Sequence, residues 1–120
     1  MMAEPEEQLR RLALHDEECI RSVLAMDLKD DGTSGLDPKT HALIRLGALL
    51  ALGAAPVSYH WTVGAALDAG ATAEEILGTL IAVAPIGGVA RVVLAIPDVA
   101  LPIGYDIDAA FEELDDDDPP

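Results

Sequence analysis

Residues 38–97 are almost entirely small or branched apolar residues, broken by three acids (Asp68, Glu74, Glu75) and three bases (Lys39, Arg45, Arg91). A block of this kind must find burial on nearly every side. The whole chain is 51% hydrophobic but has only one Trp, two Tyr and one Phe, so its core is built from Ala, Leu, Ile and Val. That is more apolar surface than a single small domain of 120 residues readily hides. Self-association is the natural outlet, and the chain reads as a homo-oligomer.

The apolar runs 42–57 and 76–97 are not membrane spans. Arg45 interrupts the first, and Pro85, Gly87, Gly88 and Arg91 interrupt the second. Neither leaves the ~20 clean apolar residues that a bilayer crossing needs. The opening "MMAEPEEQLRR" is acidic and then helical, the reverse of a secretory signal. The reading is of a soluble, cytoplasmic protein.

The net charge of −15 belongs to the flanks. Residues 1–37 carry ten acids and four bases, and residues 98–120 carry nine acids and no base. No basic stripe exists to neutralise phosphates, which argues against nucleic acid or an anionic membrane as partner. A lone cysteine, Cys19, rules out an internal disulfide or a CxxC pair and reads as a free thiol. His15, His41 and His60 are scattered without metal-ligand spacing, so no metal and no cofactor is expected.

Helical spacing of Leu9, Leu12, Cys19, Ile20, Val23 and Leu24 predicts one helix over residues 5–28. A Gly- and Asp-rich loop follows. Asp27, Asp31 and Gly32 match three positions of a calcium loop, but Lys29 and Pro38 stand where ligands should be. Asp37-Pro38 is a helix start, a capping carboxylate before a proline at the first helical position. That helix runs to about Leu52. Pro56 opens the next, which closes at Ala69-Gly70. Thr72 and Glu75 form a capping box for a further helix, ended by Gly87-Gly88. Residues 89–97 are β-branched, and context favours helix over strand. After them the chain reads as an acidic extension, 98–120, with a helical turn or two and a disordered end. No strand alternation occurs, so the fold class is all-α. The domain plan is an N-terminal helix and acidic loop (1–36), a helical core (37–97) and the extension (98–120).

Across residues 36–95 the chain resembles the carboxymuconolactone decarboxylase family. The most specific stretches are Asp37, Pro38, Lys39, Thr40 and the run "AGATAEE" from Ala69 to Glu75. The resemblance implies an alkyl hydroperoxidase D-like helical fold and assembly as trimers or hexamers. It also places the family's functional positions. The CxxC pair of the hydroperoxidase branch falls at Ala55 and Ser58, its relay histidine at Thr62 and its glutamate at Ala42. All four groups are absent, so a thiol peroxidase cycle is not expected. The decarboxylase branch keeps a histidine eight residues before the glycine, where this chain has Thr62. His60 lies two residues earlier, about 200° away around a helix.

The expected chemistry is acid/base work on a small organic acid or lactone, a decarboxylase or other lyase-type reaction. His60 is the catalytic candidate, because an imidazole can take and return a proton near neutral pH. A histidine in a first turn is also commonly a capping or packing residue. Ser58, Tyr59, Trp61 and Thr62 are candidate lining residues. Arg45 and Arg91 are candidates for binding a substrate carboxylate, or else for pairing with Asp68, Glu74, Glu75 or an acid of a neighbouring subunit. His41 is expected at the surface. The alternative to an enzyme is a non-catalytic oligomeric binding or scaffold protein.

Overall fold

The computed structural model describes residues 4–18 and 34–117. Six helices have both ends among them, with no strand: α1 (Pro5–Ala13), α2 (Pro38–Leu52), α3 (Pro56–Asp68), α4 (Ala73–Gly87), α5 (Val89–Ile103) and α6 (Ile107–Asp117); Glu17 and Glu18 are helical as well. Cys19 and the Asp27, Asp31, Gly32 segment lie outside the described residues.

The core is the set α2 to α5. α2 packs on α3 and α4, and α5 closes over α3 and α4. Leu46, Leu50, Val63 and Ile76 are completely buried where they meet. Each such side chain contributes on the order of 1.5–3 kcal/mol by leaving water. Small residues permit the close approach. A Cβ on Gly87 would lie 2.8 Å from the Ala51 Cα, and one on Gly47 would lie 3.2 Å from Val83 Cγ2.

The helix ends follow the local chemistry. The Asp37 carboxylate accepts from the Thr40 amide at 2.8 Å and from the Thr40 hydroxyl at 2.9 Å. At α4 both halves of the capping box form: Glu75 N–H donates to Thr72 Oγ1 at 3.1 Å, and Thr72 N–H to Glu75 Oε1 at 3.0 Å. α3 ends with Gly70 at φ 96, its amide bonded to the Leu67 carbonyl and the Ala71 amide to the Ala66 carbonyl. This is the paired 5→2 and 6→1 closure that glycine allows.

Two expectations fail. The helix predicted over 5–28 is broken after Ala13; Glu17 and Glu18 are helical again, and residues 19–28 lie outside the described residues. His15, at φ 55, takes the left-handed position, its amide donating to the Leu12 carbonyl and the Asp16 amide to that of Arg11. The closure is the same as at Gly70, but made with a histidine, which adopts positive φ uncommonly. The second failure is at the far end, where the core does not yield to an acidic extension after residue 97. α5 continues to Ile103 and holds Pro97 and Pro102 within it. An interior proline costs a helix ~3 kcal/mol. Here Val92, Ala95 and Val99 are all buried on one stripe that continues past the proline, and their packing offsets that cost. α6 is also longer than the expected turn or two. It begins where Asp106 caps the Ala109 amide at 3.0 Å and runs 11 residues.

Candidate functional site

A cavity of about 570 Å³ opens between α2 and α3. From α2 it takes Pro38, His41, Ala42 and Arg45, spaced i, i+3, i+4, i+7 and therefore on one face. From α3 and the residue after it come His60, Trp61, Thr62, Gly64, Ala65, Asp68 and Ala69. At about 100° per residue, Trp61, Gly64, Ala65 and Asp68 share one face of α3, with His60 on one flank and Thr62 on the other. The helix begins at Pro56, so His60 stands in its second turn and not in a loop. Even so, both flanks border the cavity, which embraces about half of the helix.

The side chains divide sharply by whether they already have partners. The Arg45 guanidinium, half-buried in mid-helix, has neither an ion pair nor a hydrogen bond among the described residues. Asp68 borders the same cavity and is not paired with it. Of the other acids proposed for Arg45, Glu75 is engaged by Lys39 at 3.0 Å. Thr62 is 4% exposed, and its hydroxyl is buried with no hydrogen-bond partner. His60 faces Asp98 of α5, with Nε2 3.4 Å from Oδ1. That is within ion-pair reach but not aligned as a hydrogen bond.

His41 departs from expectation. It is 6% exposed, not a surface residue, and its Nδ1 lies 2.9 Å from Ser34 Oγ. The reason is positional: in the first turn of α2 it falls on the same stripe as Ala42 and Arg45, which faces α3. The i+4 relation to Arg45 was visible in the sequence, but the direction of that face was not.

Three other candidates stand apart from the cavity. Tyr59 is buried in the core, its hydroxyl accepting from the Ala54 amide at 3.0 Å and donating to the Leu49 carbonyl at 3.3 Å. It staples the α2–α3 connection. Ser58, one residue earlier, does not line the cavity. Arg91 is exposed at the start of α5 and donates from Nη1 to the Ala51 carbonyl in the last turn of α2. A cation at the carbonyl end of a helix is favourably placed against the helix dipole. Arg45 and Arg91 therefore do not converge on one anion. Trp61 does line the cavity and is 63% exposed.

Among the described residues, no group of three or more His, Cys, Asp or Glu is placed to hold a metal ion. No helix among them is long and apolar enough to cross a membrane. Ala42 and Thr62, the positions assigned by resemblance to the relay glutamate and histidine, both face the cavity. Residues 17–97 match the model of the carboxymuconolactone decarboxylase family. No curated protein and no solved structure matches the chain.

Proposed function

Starting from the fact that the chain belongs to the carboxymuconolactone decarboxylase family, we propose that it binds a small organic acid or lactone in the α2–α3 cavity and acts on it by acid/base chemistry. The observation that carries this reading is Arg45, a cation on the cavity wall with no partner among the described residues, beside His60 and the Thr62 hydroxyl. Its guanidinium nitrogens are not shut off from solvent, so they are free to bind a ligand carboxylate with two parallel hydrogen bonds. The buried, unpartnered Thr62 hydroxyl supplies a neutral donor for a ligand oxygen. His60 moves the proton. In a decarboxylation the C–C bond breaks with its electron pair left on the α-carbon, and CO2 departs. His60 then delivers the proton that quenches the carbanion and regains one from water. A thiol peroxidase cycle is not part of the proposal, since Ala55 and Ser58 stand at the cysteine positions.

The assembly proposed is a cytoplasmic homo-oligomer, a trimer or hexamer. Its support is the number of large apolar side chains left exposed on α4 and α5, among them Leu77, Ile81, Ile86 at 88%, Val89 and Leu94 at 78%. Apolar surface on that scale fits burial against another copy. The same surface favours the second reading, a non-catalytic oligomeric scaffold that retains the fold after losing the relay groups at Ala42 and Thr62.

Trp61, the single tryptophan, lines the cavity and makes the test direct. A panel of small carboxylic acids and lactones is titrated against its fluorescence and against thermal unfolding. A ligand at about 100 times its dissociation constant adds roughly 2.7 kcal/mol of stability. The enzyme reading requires a hit that His60→Ala converts slowly or not at all and that Arg45→Ala binds weakly. Absence of any hit, with the oligomer intact, leaves the scaffold.

A further inference from the structure

The fifteen residues of α5 include one acid, Asp98, in an otherwise apolar stretch that carries only Arg91 besides. It is half-buried and does not line the cavity. What it does face is His60. The Nε2 atom has no exposed surface and makes no hydrogen bond in the ligand-free geometry, and the Asp98 carboxylate oxygen lies 3.4 Å away. His60 itself borders the cavity. The order in space is therefore cavity, imidazole, carboxylate, with the acid on the side of the ring where solvent is excluded.

From this arrangement we propose that Asp98 is the positioning residue of His60. The inference rests on the acid/base reading of the cavity given above. A carboxylate behind an imidazole does two things. It keeps the ring proton on the nitrogen it faces, here Nε2, so that Nδ1 presents its lone pair toward the cavity. It also balances the charge while Nδ1 carries the proton that it delivers to a ligand and Nε2 keeps its own. No proton passes to Asp98. The contact is long for a hydrogen bond, as such pairs often are before a ligand closes the site. The alternative, a surface ion pair of no consequence, leaves two features without a reason: the loss of solvent from one ring nitrogen only, and a single acid in an apolar helix at that register.

The test reads the ring without a ligand, in the full chain labelled with 15N-histidine. Long-range proton–nitrogen spectra at about pH 8, where an ordinary histidine is neutral, assign the tautomer of each ring. His60 is expected as one tautomer with the proton on Nε2, exchanging with solvent more slowly than that of exposed His15. Asp98→Ala should remove that slow proton. Asp98→Asn keeps the size of the side chain and gives the same readout if the alanine variant does not fold.

Acylation by diethyl pyrocarbonate, mapped by mass spectrometry with His15 as internal reference, then reads the competence of Nδ1. Its rate at His60 should fall about threefold or more in Asp98→Asn and recover in part in Asp98→Glu. A merely structural role for Asp98 would not move a ratio between two histidines in folded protein. A ring whose tautomer, exchange and reactivity ignore residue 98 overturns the proposal. A ring held by Asp98 together with a ligand panel that gives no hit retires the substrate reading alone. A hit together with an indifferent ring retires the role of Asp98 alone.

Discussion

Tyr59→Phe separates a core residue from a cavity wall, and its cost can be worked from three contacts. The hydroxyl accepts from the Ala54 amide at 3.0 Å and donates to the Leu49 carbonyl at 3.3 Å. The Leu49 carbonyl also accepts from the Gly53 amide at 2.9 Å, so it keeps a partner when the hydroxyl is removed. The Ala54 amide has no second acceptor in the fold and, half-buried, regains water only in part. One lost hydrogen bond with one incompletely hydrated donor costs about 1–2 kcal/mol. Loss of the ring itself adds nothing, because phenylalanine keeps it. Urea unfolding at a fixed protein concentration reads the change as a lower midpoint with an unchanged slope. Fixed concentration matters because an oligomer's apparent stability varies with it. Ligand affinity, read at Trp61, should stay the same. A variant as stable as wild type but weakened in ligand binding would show that Tyr59 serves the cavity, and the reasoning would be refuted.

Thr62→Val removes a buried hydroxyl that has no partner, so it should stabilise the ligand-free protein by about 0.5–2 kcal/mol while reducing the thermal shift given by any ligand that bonds it. Gly87→Ala drives a Cβ to 2.8 Å from the Ala51 backbone and should cost about 1–3 kcal/mol in urea unfolding; a neutral result would mean that α2 and α4 cross less closely. Acid should weaken the fold through two caps. The Thr40 amide and hydroxyl, then Lys39, hold Asp37 below its ordinary 3.8, and the Thr72 amide, then Lys39, hold Glu75 below 4.5. Because both folded values are depressed, this stabilisation is present above the ordinary values and is lost as pH falls below them. Asp37→Asn and Glu75→Gln should each flatten the acid limb of a stability–pH curve, and an unchanged limb would exclude the caps as its cause.

What could be read from the sequence was whatever depends on neighbours a few residues apart. Asp37-Pro38, the box from Thr72 to Glu75 and the glycine at 70 each carry their partners within four positions, and all three helix ends form as that local chemistry requires. The all-helical class followed from the absence of alternation, and the family from the runs that hold these same caps. The errors arose at Pro97, where a distant contact outweighed a local preference, and at His15, where a residue took an uncommon backbone conformation. Pro97 marks an end by its own chemistry, but Val99 and Ile103 pack on the core and carry the helix past it. His15 closes a helix in a conformation that its sequence neighbours do not announce.

The candidate site shows the same division more sharply. Its location was legible, because spacing back from Gly70 leads to residues 58–62 whatever occupies them. Which side chains face inward was not, since that depends on how α3 is rotated against α2 and α5. A two-residue offset from Thr62 to His60 is about 200° around a helix, more than one narrow face would span. Centred on Trp61 and Ala65, the cavity reaches about 100° to each side, so the offset exchanges one flank for the other. The inner flank holds the buried hydroxyl of Thr62. The outer flank holds an imidazole turned toward α5, where the carboxylate of Asp98, the first residue that sequence had assigned to an acidic extension, stands behind it. At residue 60 the imidazole stands at the cavity edge and within reach of that carboxylate, so the proton chemistry proposed for this chain falls to the pair His60 and Asp98.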